Sequence, residues 1–199
     1  MEIYAIERFC DRWIEKAEAY RSSDLEDLFD RFFTLFVAYN RLYSAAAELH
    51  RAPLYRRKRF IPKGDRHEAT AVMAEIIGEP RFSEAVQENK EIAASCEAIS
   101  ELLKKRFFFL HNNRETKEPD LVRDDKLVVA LRRHSLRAVL ECLYQIRCNI
   151  FHGEKEFAPR QAELLIPAIT LLEVVVRLSR EALHKVAATV VLTPEANDT

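Results

Sequence analysis

The stretch Leu25-Glu-Asp-Leu-Phe-Asp-Arg-Phe-Phe-Thr-Leu-Phe-Val-Ala-Tyr-Asn-Arg-Leu-Tyr43 carries apolar side chains at Leu25, Leu28, Phe29, Phe32, Phe33, Phe36, Val37, Tyr39, Leu42 and Tyr43. Their spacing is helical, and the stripe is too dense for a helix that buries only one face. It reads as a central helix of a bundle. Ser23 and Glu26 supply a Ser-x-x-Glu capping signature, which starts the helix near residue 24 and leaves its end near residue 50. Asn40 interrupts the stripe, either as a core amide bonded to a neighbouring helix or as a site residue.

Composition points the same way. Only Gly64, Gly78 and Gly153 are glycine, whereas a sheet protein of 199 residues would use more in its turns. The expectation is an all-α, up-and-down helical bundle with a long central helix pair, formed as one domain over 1–199 with a disordered tail at 193–199. No repeat or low-complexity tract is present. The 31 basic and 32 acidic residues nearly cancel, so any affinity for nucleic acid has to come from local patches. Cys10, Cys96, Cys142 and Cys148 form no CxxC pair and the histidines have no zinc-finger spacing, which gives no metal, no cofactor and a reduced, cytoplasmic setting as the reading. Glu7 and Arg8 argue against a signal peptide, and Pro167 and Glu173 interrupt the one greasy run, so no membrane association is expected.

Outward from the central helix, residues 3–20 form an amphipathic helix with Trp13 on its core side. Residues 51–65 form a basic loop in which Arg56, Arg57, Lys58 and Arg59 are interleaved with Tyr55 and Phe60, a mixture suited to a phosphate backbone and stacked bases. A short helix at 66–77 ends at Gly78 and Pro80. Helical periodicity resumes over 82–110 with a break near Asn89, and 111–125 reads as a surface loop. Two last helices follow at 126–151 and 159–186, the second kinked at Pro167.

The segment Tyr144-Gln-Ile-Arg-Cys-Asn-Ile-Phe-His-Gly153 ends the first of these helices. Arginine and histidine together suit phosphodiester cleavage, because imidazole moves protons near neutral pH and guanidinium holds phosphate through two donors. Arg-x4-His by itself is weak, since Arg106 and His111 repeat it and Arg177 and His184 come close. Five residues of regular helix are about 140° of rotation, so Arg147 and His152 share a site only if the helix stops. Gly153 is that stop. The pair at 106 and 111 has no such glycine and spans three phenylalanines, as a packed helix end would.

With its flanking apolar helices, this segment resembles the Arg-x(4–6)-His motif of HEPN domains. The run Arg31 to Tyr43, ending Ala-Tyr-Asn-Arg-Leu-Tyr, is similar to the aromatic helix of Apea-like HEPN proteins. The resemblance implies a helical bundle that pairs as a homodimer with two Arg/His sets in one cleft. It also implies a metal-independent endoribonuclease, a toxin or defence effector held in check by an antitoxin or other regulatory protein. By position, Arg147 would bind phosphate, His152 would act as acid or base and Asn149 would orient one of them. Asn40, Lys155 and the cluster Arg56, Arg57, Lys58 and Arg59 are the candidate RNA contacts. Two positions depart from the family pattern: Cys148 replaces the polar residue that commonly follows the arginine, and Glu154 stands where some members carry a modified tyrosine. The alternative is a non-catalytic HEPN module that binds a partner protein or RNA.

Overall fold

In the computed structural model, residues 3–56, 64–113, 115–151 and 158–192 are described, the side chains of 50–56, 151 and 188–192 excepted. The chain is an all-α helical bundle with no strand among these residues. Its helices are α1 (Ile3–Glu18), α2 (Leu25–Arg56), α3 (Asp65–His67, a π-helical turn Glu68–Val72, and Met73–Ile77), α4 (Glu79–Glu88), α5 (Lys90–Lys104), α6 (Leu121–Arg132), α7 (Leu136–Phe151) and α8 (Gln161–Leu192).

The long pair is α2 and α8, each of 32 residues and each buried on several sides. They run parallel: Arg31 pairs with Glu173, and farther along both helices Leu42 and Leu183 line one small cavity. Against them α1 runs antiparallel, pairing Asp11 with Arg180 and Glu7 with His184. The core between them is aromatic on the α2 side, with Phe32, Phe36, Tyr39 and Tyr43 in successive ring contact along the helix, and aliphatic on the α8 side. Trp13 is partly buried against this core, as its spacing implies. On the far side of α8 lies α5, and α6 is tied to it through Arg132, which reaches Glu97 and Glu101.

Several boundaries differ from the sequence expectation for identifiable reasons. Ser23 does not form the capping box; Ser22 Oγ accepts instead from the Asp24 amide at 3.0 Å. α2 continues through Pro53 to Arg56, so the basic stretch begins on a helix rather than a loop, and Arg57 to Lys63 lie outside the described residues. The helix expected to reach Leu110 stops at Lys104. There Arg106 adopts φ 58°, and the Phe107 and Arg106 amides bond back to the Leu102 and Leu103 carbonyls, each at 3.0 Å. That is a left-handed helix stop without glycine. His134 does the same at φ 53°, cutting the single helix expected over 126–151 into α6 and α7. α7 then starts on a distant group, because the Glu79 carboxylate accepts from the Leu136 amide at 3.0 Å and the Ser135 hydroxyl at 3.1 Å. Asn89 breaks the chain as expected and caps α5, accepting from the Glu91 amide at 2.9 Å. Pro167 lies inside α8, which extends to Leu192; the tail after Thr193 is outside the described residues.

Candidate functional site

Along α7, Glu141, Tyr144 and Cys148 fall at i, i+3 and i+7 and so share one stripe, with Arg147 on its edge. That stripe meets the start of α3. Gly64, at φ 85° and ψ 165°, turns the chain into the helix and delivers Asp65 and Arg66 to α7. The Asp65 carboxylate accepts from Tyr43 at 2.7 Å and from Tyr144 at 2.9 Å, joining α2, α3 and α7 through one side chain. Next to it, Arg66 donates from Nε to Glu141 at 3.1 Å and lies over the Tyr144 ring, 5.9 Å from its centroid. The π-helical turn of α3 follows directly, with the Tyr39 hydroxyl on the Ala69 carbonyl and Thr70 Oγ1 on the Arg66 carbonyl at 2.7 Å.

Arg147 is half-buried beside this group. Its guanidinium carbon is 5.7 Å from the centroid of the Phe36 ring, a cation–π distance, and Nη1 approaches Cys148 Sγ at 3.9 Å. Burial first, and the bond to Asp65 second, raise both phenols well above the ordinary tyrosine value. Tyr43 and Tyr144 therefore donate hydrogen bonds at neutral pH and do not act as bases there.

The residues singled out from sequence fall into three groups. Arg147 and Asn149 are both near the end of α7, but they face different surroundings. Asn149 is buried, donating to the Leu110 carbonyl at 3.0 Å, which holds α7 to the chain before α6, and accepting from Gln145 one turn back on α7 at 2.8 Å, so both ends of its amide are occupied. Asn40 is exposed, which removes the reading of a core amide. Helical phase sets it about 40° from Phe36 and about 60° from Tyr43, on the solvent edge of the face that meets Arg147. His152, Gly153, Lys155, Arg57, Lys58 and Arg59 lie outside the described residues, and of Arg56 only the backbone is described.

In the two competing Arg/His pairs the arginines and His184 are engaged by carboxylates, although Arg177 and His184 line one cavity of about 500 Å³. Arg106 donates to Asp125 and Arg177 to Glu181, while His184 pairs with Glu7 on α1. His111 differs from the surface-loop expectation: it is 2% exposed, with Nδ1 2.7 Å from Asp124. Asp65, Arg66 and Glu141 were not legible as site residues, because an aspartate in a helix's first turn reads as a capping group wherever it occurs.

Among the described residues, no three His, Cys, Asp or Glu side chains are grouped to hold a metal ion, and no helix is long and apolar enough to cross a membrane. Compared with protein-family models, curated proteins and solved structures, the chain gives no match.

Proposed function

We propose that the chain is a metal-independent endoribonuclease of the HEPN type, acting as a cytoplasmic homodimer in a toxin or defence role under the control of a regulatory protein. The observation that carries this reading is the setting of Arg147: a guanidinium packed on Phe36 at the end of α7, beside the Tyr43–Asp65–Tyr144 group and in phase with exposed Asn40. His152 follows the last residue of that helix. Arg147 holds the scissile phosphate, and a neutral His152 takes the ribose 2'-hydroxyl proton as the 2'-oxygen bonds to phosphorus. The bond from phosphorus to the 5'-oxygen breaks, an imidazolium from the second copy protonates that oxygen, and a 2',3'-cyclic phosphate remains. Asn149 positions α7 and stays out of the chemistry.

A second reading, a module that binds RNA or a partner without cutting, is favoured by the engagement of the Asn149 amide within the chain. Incubating purified protein with total RNA and EDTA, beside Arg147→Ala and His152→Ala variants, separates them. Cleavage to cyclic-phosphate ends by the parent alone supports the nuclease; RNA retention without cleavage, or equal cleavage by all three proteins, overturns it. Light scattering tests the dimer, for which a mass near twice 23.2 kDa is expected.

A further inference from the structure

A cleft of about 560 Å³ opens between α3, α6 and α7, walled by Arg66, His67, His111, Arg123, Lys126 and Arg137. Four fixed cations there face one carboxylate, Glu141. Arg66 and Arg123 each donate a hydrogen bond to it, at 3.1 and 2.9 Å. Lys126 and Arg137 are exposed, and neither side chain makes an ion pair or hydrogen bond with another described residue. A wall with this excess of positive charge favours an anion.

His111 marks where that anion sits. Asp124 accepts from the Leu110 amide at 3.0 Å and the His111 amide at 3.2 Å, so its carboxylate is an acceptor and the imidazole presents N–H at Nδ1. Nε2 is then the open end. It is buried without a hydrogen bond, and the Glu141 oxygen lies 3.6 Å away, beyond hydrogen-bond reach. A buried polar atom left alone in a cationic cleft points to a missing partner. Phosphate matches it in either protonation state, because near neutral pH a phosphate monoester can donate a proton to imidazole or accept one from imidazolium.

We propose that this cleft binds the phosphate group of a nucleotide or of a nucleic-acid strand, with His111 contacting it from inside and Lys126 and Arg137 neutralising it at the rim. The site is separate from Arg147 and His152, and phosphate binds there whether or not the protein cleaves RNA. The volume lies within the usual range for small-molecule sites, roughly 300–1,000 Å³, and leaves room for a sugar as well as the phosphate.

The test follows the His111 ring by ¹⁵N-resolved NMR while inorganic phosphate, a nucleoside 5'-monophosphate or a short single-stranded RNA is added to the full-length protein. Each probe that binds is expected to shift the His111 signals at millimolar concentration or below. In the Lys126→Ala/Arg137→Ala variant, whose changes are both at exposed positions, binding is expected to weaken about tenfold or more. A nucleotide that binds more tightly than inorganic phosphate identifies a mononucleotide source, and RNA that outcompetes both identifies a strand. His111 signals unmoved by all three probes, or moved equally in the variant, overturn the proposal.

Discussion

Tyr43 and Tyr144, 101 positions apart in the chain, direct their hydroxyls to the two oxygens of one carboxylate, Asp65, at 2.7 and 2.9 Å. Tyr43 is buried whereas Asp65 reaches in from an exposed position at the head of α3. Replacing Asp65 with alanine removes the acceptor for both phenols, and an expected loss of about 1–3 kcal/mol follows. Asp65→Asn, which keeps an acceptor oxygen, is expected to lose less. Urea unfolding of the three proteins measures the order; an Asp65→Ala variant as stable as the parent would contradict this account.

Adjacent aspartates should respond very differently to substitution. Asp124 is buried and accepts from two backbone amides and His111, while Asp125 pairs with Arg106 at the surface. Asp124→Ala is expected to cost ~3–5 kcal/mol, since it strands buried donors. For Asp125→Ala the expected cost is below about 1 kcal/mol, as for other exposed pairs. Thermal and denaturant midpoints of the two variants provide the comparison.

Glu79 lies in the first turn of α4 but serves the start of α7, accepting from Leu136 N and Ser135 Oγ. Glu79→Ala should cost about 1–2 kcal/mol, the ordinary effect of losing a helix cap. Hydrogen exchange would locate the loss: faster exchange is expected in the first turn of α7, and a change confined to α4 would refute the remote cap.

Alkaline pH should destabilise the fold through its buried thiols. Burial raises Cys10 to about 11 and Cys96 to about 12 from an ordinary 9.0. Each thiol therefore holds its proton more tightly in the folded chain. The stability it contributes is complete below pH 9.0 and is lost as pH rises toward the folded values, by up to about 1.4 kcal/mol per pH unit per group. Unfolding free energy measured from pH 8 to 10.5 is expected to bend downward near 9, and Cys96→Ala should reduce the slope.

Much of the architecture was readable from periodicity. The aromatic stripe of α2 and the apolar run of α8 announce a central pair because a helix buried on several sides has to be apolar on several sides. Asn89 was readable as a break, since its side chain supplies a cap without help from elsewhere. The stops at Arg106 and His134 were not, because arginine and histidine adopt the left-handed conformation far less often than glycine and so do not mark a helix end by type. The candidate site divides in the same way. Arg147 stands out by its residue type and its place at a helix end, whereas its neighbours Asp65, Tyr43 and Phe36 come from other helices.

By itself, then, the sequence determined the all-α class, the two long helices and the arginine at the end of α7, because these depend on composition and on spacing within one segment. Tertiary structure alone decided that Asp65 joins Tyr43 to Tyr144, that Glu79 starts α7, and that His111 faces a cationic cleft from the buried side of Asp124. Each of these relationships pairs groups at least 13 residues apart, and in each the donor's partner is chosen by the packing of helices against one another.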